Sequence, residues 1–127
     1  MARGSVIIGG MEAADRARLA RFAQEAGCDA KTFTRGSEVL GALRVSEQTI
    51  LFLSESLEDM TAGELLASLK KHGLLTTAIV IVPPMAIMAA VDAIRGGASD
   101  VYEYPLSEKR FLKSLSDAQP IERRKSH

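Results

Sequence analysis

Three short stretches, Ser5–Gly9, Ile50–Leu53 and Ala78–Val82, are continuous apolar runs in their interiors. They are too short for core helices, and they lack the polar–apolar alternation of a strand with one face in water. Runs of this kind fit strands buried on both faces, which occur where helices cover both sides of a parallel sheet.

The segments between these runs read as helices. Over Glu12–Ala26, Leu19, Phe22, Ala23 and Ala26 fall at i, i+3, i+4 and i+7, and Gly27 suits the C-terminal cap. Cys28–Phe33 predicts a weaker strand. Arg35-Gly36-Ser37 predicts a turn, with Ser37 capping a short helix through Leu43. A polar loop, Ser54–Thr61, leads into a helix ending at Lys70-Lys71-His72-Gly73, where a cationic group complements the helix dipole. Pro83-Pro84 stops the third apolar run. A helix over about Met85–Arg95 follows, with Ile87, Ala90, Val91 and Ile94 as the stripe expected to pack on the sheet. Val101–Tyr104 is the last strand, and Ser107 caps a final helix from Glu108 to about Leu115. Five such strand–helix units imply right-handed crossovers and an α/β, three-layer, doubly wound fold. This is the flavodoxin-like architecture, a five-stranded parallel sheet of order 2-1-3-4-5 with five helices. Its functional crevice lies beyond the carboxyl ends of the strands.

Residues 1–118 are expected to form one domain, and residues 119–127, without periodicity, to be a linker or tail. Sixteen basic and sixteen acidic residues cancel, so the whole chain carries no electrostatic footprint for nucleic acid or a membrane surface. Arg123-Arg124-Lys125 is read as a solvated end. The apolar run near the N-terminus is far shorter than a membrane span. The single cysteine, Cys28, excludes an internal disulfide and a cysteine zinc site. It reads as a reduced, near-core residue of a cytoplasmic protein. There is no Gly-rich phosphate loop, nucleophile–base pair or metal cluster, so the expectation is a non-enzyme without a cofactor.

The block Ala90–Leu106 combines a small-residue helix, the Gly96-Gly97 pair, a short strand and the Tyr104-Pro105 step. With Gly97-Ala98, Asp100 and Leu57–Met60, it resembles the receiver domain of bacterial two-component response regulators. The resemblance covers about residues 5–116. It implies a pocket of five residues: two adjacent acids that hold Mg²⁺, an Asp that accepts a phosphoryl group, a Thr or Ser, and a Lys before a Pro. In this chain those positions fall on Gly10 and Met11, Ser54, Val82 and Tyr104. Glycine and methionine bring no carboxylate, and an acyl phosphate does not form on a hydroxyl. The resemblance therefore implies a degenerate, pseudo-receiver pocket with no catalytic residue and no metal.

Four carboxylates near the rim, Glu12, Glu55, Glu58 and Asp59, leave a shifted metal site conceivable. Helix-dipole complementation by Glu12 and an exposed loop for Glu58 and Asp59 account for three of them. Glu55, one residue past the acceptor position, is expected to point away if the pleat continues. Tyr104, Met11 and Val82 are expected to fill the former phosphate site with apolar surface. Pro105 is a cis candidate, as in receivers. Val101 stands at the receivers' aromatic switch position.

Receivers use the fourth helix, fifth strand and fifth helix as an output and dimer face, which here maps to Met88, Arg95, Val101, Glu103 and Lys109. The expected function is an atypical, phosphorylation-independent receiver domain. It would act as a regulatory protein-interaction module in bacterial signal transduction or transcription control, with a protein partner, an output domain or a second copy. The alternatives are a small-molecule-sensing rim and a phosphorelay receiver with an unusual acceptor.

Overall fold

Val6, Ile7 and Ile8 are all buried because β1 (Ser5–Gly9) is hydrogen-bonded to a parallel neighbour on each edge and covered on each face. The computed structural model that shows this describes residues 4–43, 48–74 and 76–117. The other strands are β2 (Asp29–Phe33), β3 (Thr49–Ser54), β4 (Thr77–Val82) and β5 (Asp100–Glu103). All pair in parallel, in the order β2-β1-β3-β4-β5. The helices are α1 (Ala13–Glu25), α2 (Gly36–Ala42), α3 (Ala62–Lys71), α4 (Ile87–Gly96) and α5 (Glu108–Asp117). The flavodoxin-like fold and its strand order are those the sequence predicts. The tail 119–127, with Arg123-Arg124-Lys125, lies outside the described residues.

The pleat divides the core in two, since successive residues of a strand face opposite sides. Val6, Ile8, Phe52, Ile79 and Ile81 meet Leu19 and Phe22 of α1 and Phe111 and Leu115 of α5. Phe111 stacks on Phe52 at 4.5 Å between ring centroids. On the other face, Ile7, Leu51, Leu53, Val80 and Val82 meet Val39 of α2, Leu65, Leu66 and Leu69 of α3, and Ala93 of α4. The edge strand β2 is weaker in sequence because most of its side chains face water, and polar edges discourage further strand pairing.

Two local expectations are corrected. Ser37 does not cap α2; it lies inside the helix. The cap comes from Asp59, far along the chain, whose carboxylate accepts the Gly36 N–H at 2.6 Å and the Ser37 N–H at 3.1 Å. Glu38 adds a bond from the Arg35 N–H at 3.2 Å.

The second correction concerns α4, which begins at Ile87 and is rotated away from the expected stripe. Ile87 and Ile94 are 68% and 53% exposed, while Ala93 is buried and Ala86 and Ala89 pack beside it. The cause is a close approach of α3 and α4. A Cβ on Gly96 would lie 2.9 Å from the Gly63 Cα, and one on Gly63 would lie 3.2 Å from the Asp92 carbonyl oxygen. Only small residues fit where the two helices are this near, so Ile87, Met88 and Ile94 turn outward while Val91 is half-buried.

Candidate functional site: the rim at the carboxyl ends of the strands

Gly9 of β1 is in register with Leu53 of β3, so the chain leaving β1 crosses directly over Ser54. Two residues make that crossing in the left-handed region, Gly10 at φ +82° and Met11 at φ +53°. Glycine is required at position 10, because a Cβ there would sit 2.1 Å from the Ser54 Oγ. The left-handed Met11 is a strained conformation, of the kind that persists where surroundings over-determine it.

Three groups hold the crossing. The Gly10 N–H donates to the Phe33 carbonyl at 2.9 Å. The Met11 N–H donates to Ser54 Oγ at 3.0 Å, and Ser54 Oγ donates its proton to the Ser56 carbonyl at 2.7 Å. The Arg16 guanidinium, projecting from the start of α1, donates to the Gly10 carbonyl at 3.2 Å and to the Met11 carbonyl at 2.6 Å. Ser54 itself is buried.

Tyr104 follows β5, and its N–H continues the pairing by donating to the Val82 carbonyl at 2.9 Å. Its ring and Met11 both pack on the α1–α5 side of the core. Burial pushes the Tyr104 phenol up to about 12, helped by the negative charges of Asp15 and Glu55 and tempered by the Ser54 hydroxyl. The Ser54 hydroxyl is not placed to hydrogen-bond it, and among the described residues the buried Tyr104 Oη has no partner. The Tyr104–Pro105 peptide bond is cis.

The structure thus brings together Gly10, Met11, Ser54 and Tyr104. It separates Val82, whose side chain belongs to the opposite face with α2, α3 and α4, so Val82 does not help Tyr104 and Met11 fill the site. Glu55 lines a groove of about 340 Å³ between the start of α3 and α4, together with Thr61, Gly63, Ala89 and Asp92. Asp59 is taken up by the α2 cap. Its burial acts to raise the carboxyl, but the Gly36 and Ser37 N–H bonds outweigh this and hold it below the usual carboxylate range.

Receivers hold Mg²⁺ with carboxylates, and the residues present here do not fit that ion. Gly10 and Met11 offer only carbonyl oxygens, and a guanidinium already donates to both. Among the described residues, no group of three or more His, Cys, Asp or Glu side chains is placed to hold a metal.

The residues mapped to the receivers' output face lie on α4, β5 and α5. Met88 is 69% exposed, and Arg95, Glu103 and Lys109 are also exposed. Glu103 is tied to the preceding loop by accepting the Met85 N–H at 3.0 Å, and Met85 is left-handed at φ +67°. Val101 is half-buried against the α3–α4 side of the core. With Met85, Ile87 and Ile94, Met88 gives the β4–α4 loop and α4 an apolar outer surface.

Arg16 and Asp59 are the rim residues whose roles sequence reasoning missed. The partners of Arg16 are backbone carbonyls, which carry no sequence signal.

No family model and no curated protein matches the sequence. Solved structures do match along most of its length. FixJ-N is 24% identical with a TM-score of 0.83, covering 93% of this chain and 94% of that one. The receiver domain of NtrX from Brucella abortus is 25% identical with a TM-score of 0.78, covering 89% and 96%. The beryllofluoride-activated NtrC4 receiver domain, a dimer, is 23% identical with a TM-score of 0.80, covering 90% and 94%. The fold is therefore that of response-regulator receiver domains.

Proposed function

We propose that this chain is a receiver domain that works without phosphorylation, as a protein-interaction module in cytoplasmic signal transduction or transcription control. The observation that carries the reading is the state of Ser54. It stands where receivers carry the acceptor Asp, and its hydroxyl is buried, accepting from the Met11 N–H and donating to the Ser56 carbonyl. Attack on phosphorus requires a carboxylate or a base-activated oxygen, together with a cation that neutralises the phosphoryl oxygens. Ser54 is neither free nor paired with a base, and the rim offers no carboxylate pair for Mg²⁺.

The same reading gives the signalling surface to α4. Exposed Ile87, Met88 and Ile94 form an adaptable apolar surface of the kind used for protein contacts. The dimeric NtrC4 receiver domain supports a second copy of this chain as the partner, through α4, β5 and α5. Incubation with acetyl phosphate and Mg²⁺, followed by intact-mass spectrometry, tests the chemistry. The expected mass is that of the unmodified chain; a phosphoryl adduct on Ser54 overturns the reading.

A further inference from the structure

We infer that the Arg16 guanidinium is the resident cation of this rim, taking up the oxygens toward which a divalent ion would otherwise be drawn. Both carbonyls of the left-handed pair, Gly10 and Met11, point their oxygens at one guanidinium nitrogen, at 3.2 and 2.6 Å. A strained backbone with two carbonyls converging on one point is a concentration of negative partial charge, and it needs a positive partner. In a metal site that partner comes from solution, and its affinity depends on supply. Here it is covalently attached through α1, whose first turn is anchored by the Arg16 N–H to Glu12 carbonyl bond at 2.9 Å. Arg suits the position because a guanidinium stays charged at all working pH values and is only weakly hydrated.

Arg16 is thus a positioning residue. It holds Met11 left-handed, which aims the Met11 N–H at Ser54 Oγ, and it repels an incoming divalent cation. This deepens the proposed function, since it concerns the same rim, but it fails separately: a chain that rejects Mn²⁺ could still be phosphorylated, and the converse holds too.

The test is an Mn²⁺ titration followed by amide NMR on the full chain, with four variants. In the parent protein, Mn²⁺ should cause no selective broadening at Gly9–Met11 or Ser54–Ser56. Arg16→Ala should shift the Met11 amide and lower Tm by about 3–8 °C, and Arg16→Lys should restore part of both. Met11→Asp returns a carboxylate to the site, and Asp tolerates the left-handed region better than Met. In that background, removing Arg16 as well should tighten Mn²⁺ binding about tenfold or more, because a cation facing the ion has been withdrawn. Selective broadening in the parent protein overturns the inference. So does equal or weaker Mn²⁺ binding by the Met11→Asp, Arg16→Ala double variant relative to Met11→Asp, or an Arg16→Ala spectrum with Met11 unmoved. Should the double variant not fold, the parent titration and the Lys rescue still decide the matter.

Discussion

The rim over Ser54 and the outer face of α4 treat their side chains in opposite ways. At the rim, three groups are satisfied by the chain itself: Ser54 by Met11 and Ser56, and the Gly10 and Met11 carbonyls by Arg16. On α4 and the loop before it, the large apolar side chains of Met85, Ile87, Met88 and Ile94 are turned outward and exposed. Under the proposed function, the closed polar rim is structural and the open apolar face of α4 is the signalling surface. Substitutions at the rim should therefore act on stability, whereas those on α4 should act on association.

Gly10→Ala should have the largest effect on stability. It adds left-handed strain of about 1–2 kcal/mol and drives a methyl into the Ser54 hydroxyl, with overpacking adding about 1–3 kcal/mol. Urea unfolding should show a loss of about 2–5 kcal/mol. Ser54→Ala comes next. It leaves the Met11 N–H and the Ser56 carbonyl without their partner, at a cost of about 1–3 kcal/mol. Because Ser54 is what the new methyl meets, the two changes together should cost less than their sum; strict additivity would break the picture of one wired unit.

Tyr104→Phe removes a buried hydroxyl that has no hydrogen-bond partner among the described residues. It should leave thermal stability unchanged or raise it by up to about 1 kcal/mol. It should also change the alkaline limb. The Tyr104 phenol is raised from 10.0 to about 12 in the folded state. Below pH 10 both states are protonated and its contribution is complete. Between 10 and 12 the unfolded chain loses the proton first, so stability falls as pH rises. Chemical denaturation across that window should show a shallower decline in the Phe variant. The smallest stability effect belongs to Met88→Lys, within about 0.5 kcal/mol as for an exposed position. That change should nonetheless weaken self-association measured by sedimentation, which would sharpen the contrast between the two regions; association unaffected by it would count against α4 as the interface.

The strands, their order and the buried sheet were legible because each apolar run of β1, β3 and β4 is an unambiguous local signal. The final helix cap was legible too, with Ser107 Oγ accepting the Arg110 N–H at 3.1 Å. The rotation of α4 was not. The stripe of Ile87, Ala90, Val91 and Ile94 carries more apolar bulk than Ala86, Ala89 and Ala93, yet the close contact between Gly63 and Gly96 favours the latter face. The α2 cap was misplaced for a related reason: Asp59 acts across 23 residues of chain to Gly36, and nothing local to Ser37 announces it. At the rim, the sequence pointed to Gly10, Met11, Ser54 and Tyr104, but it gave no sign of Arg16. It also could not assign Val82 to the far face, since that depends on where the β4 pleat ends.

The central claim is that the receiver rim is closed to phosphoryl chemistry by the chain's own groups. Amide NMR spectra with and without beryllofluoride and Mg²⁺ test it most directly, since that pair mimics a phosphorylated, metal-bound carboxylate. The account predicts superimposable signals for Gly9–Met11, Ser54–Asp59 and Tyr104. Saturable shifts at those residues that require both beryllofluoride and Mg²⁺ would contradict it.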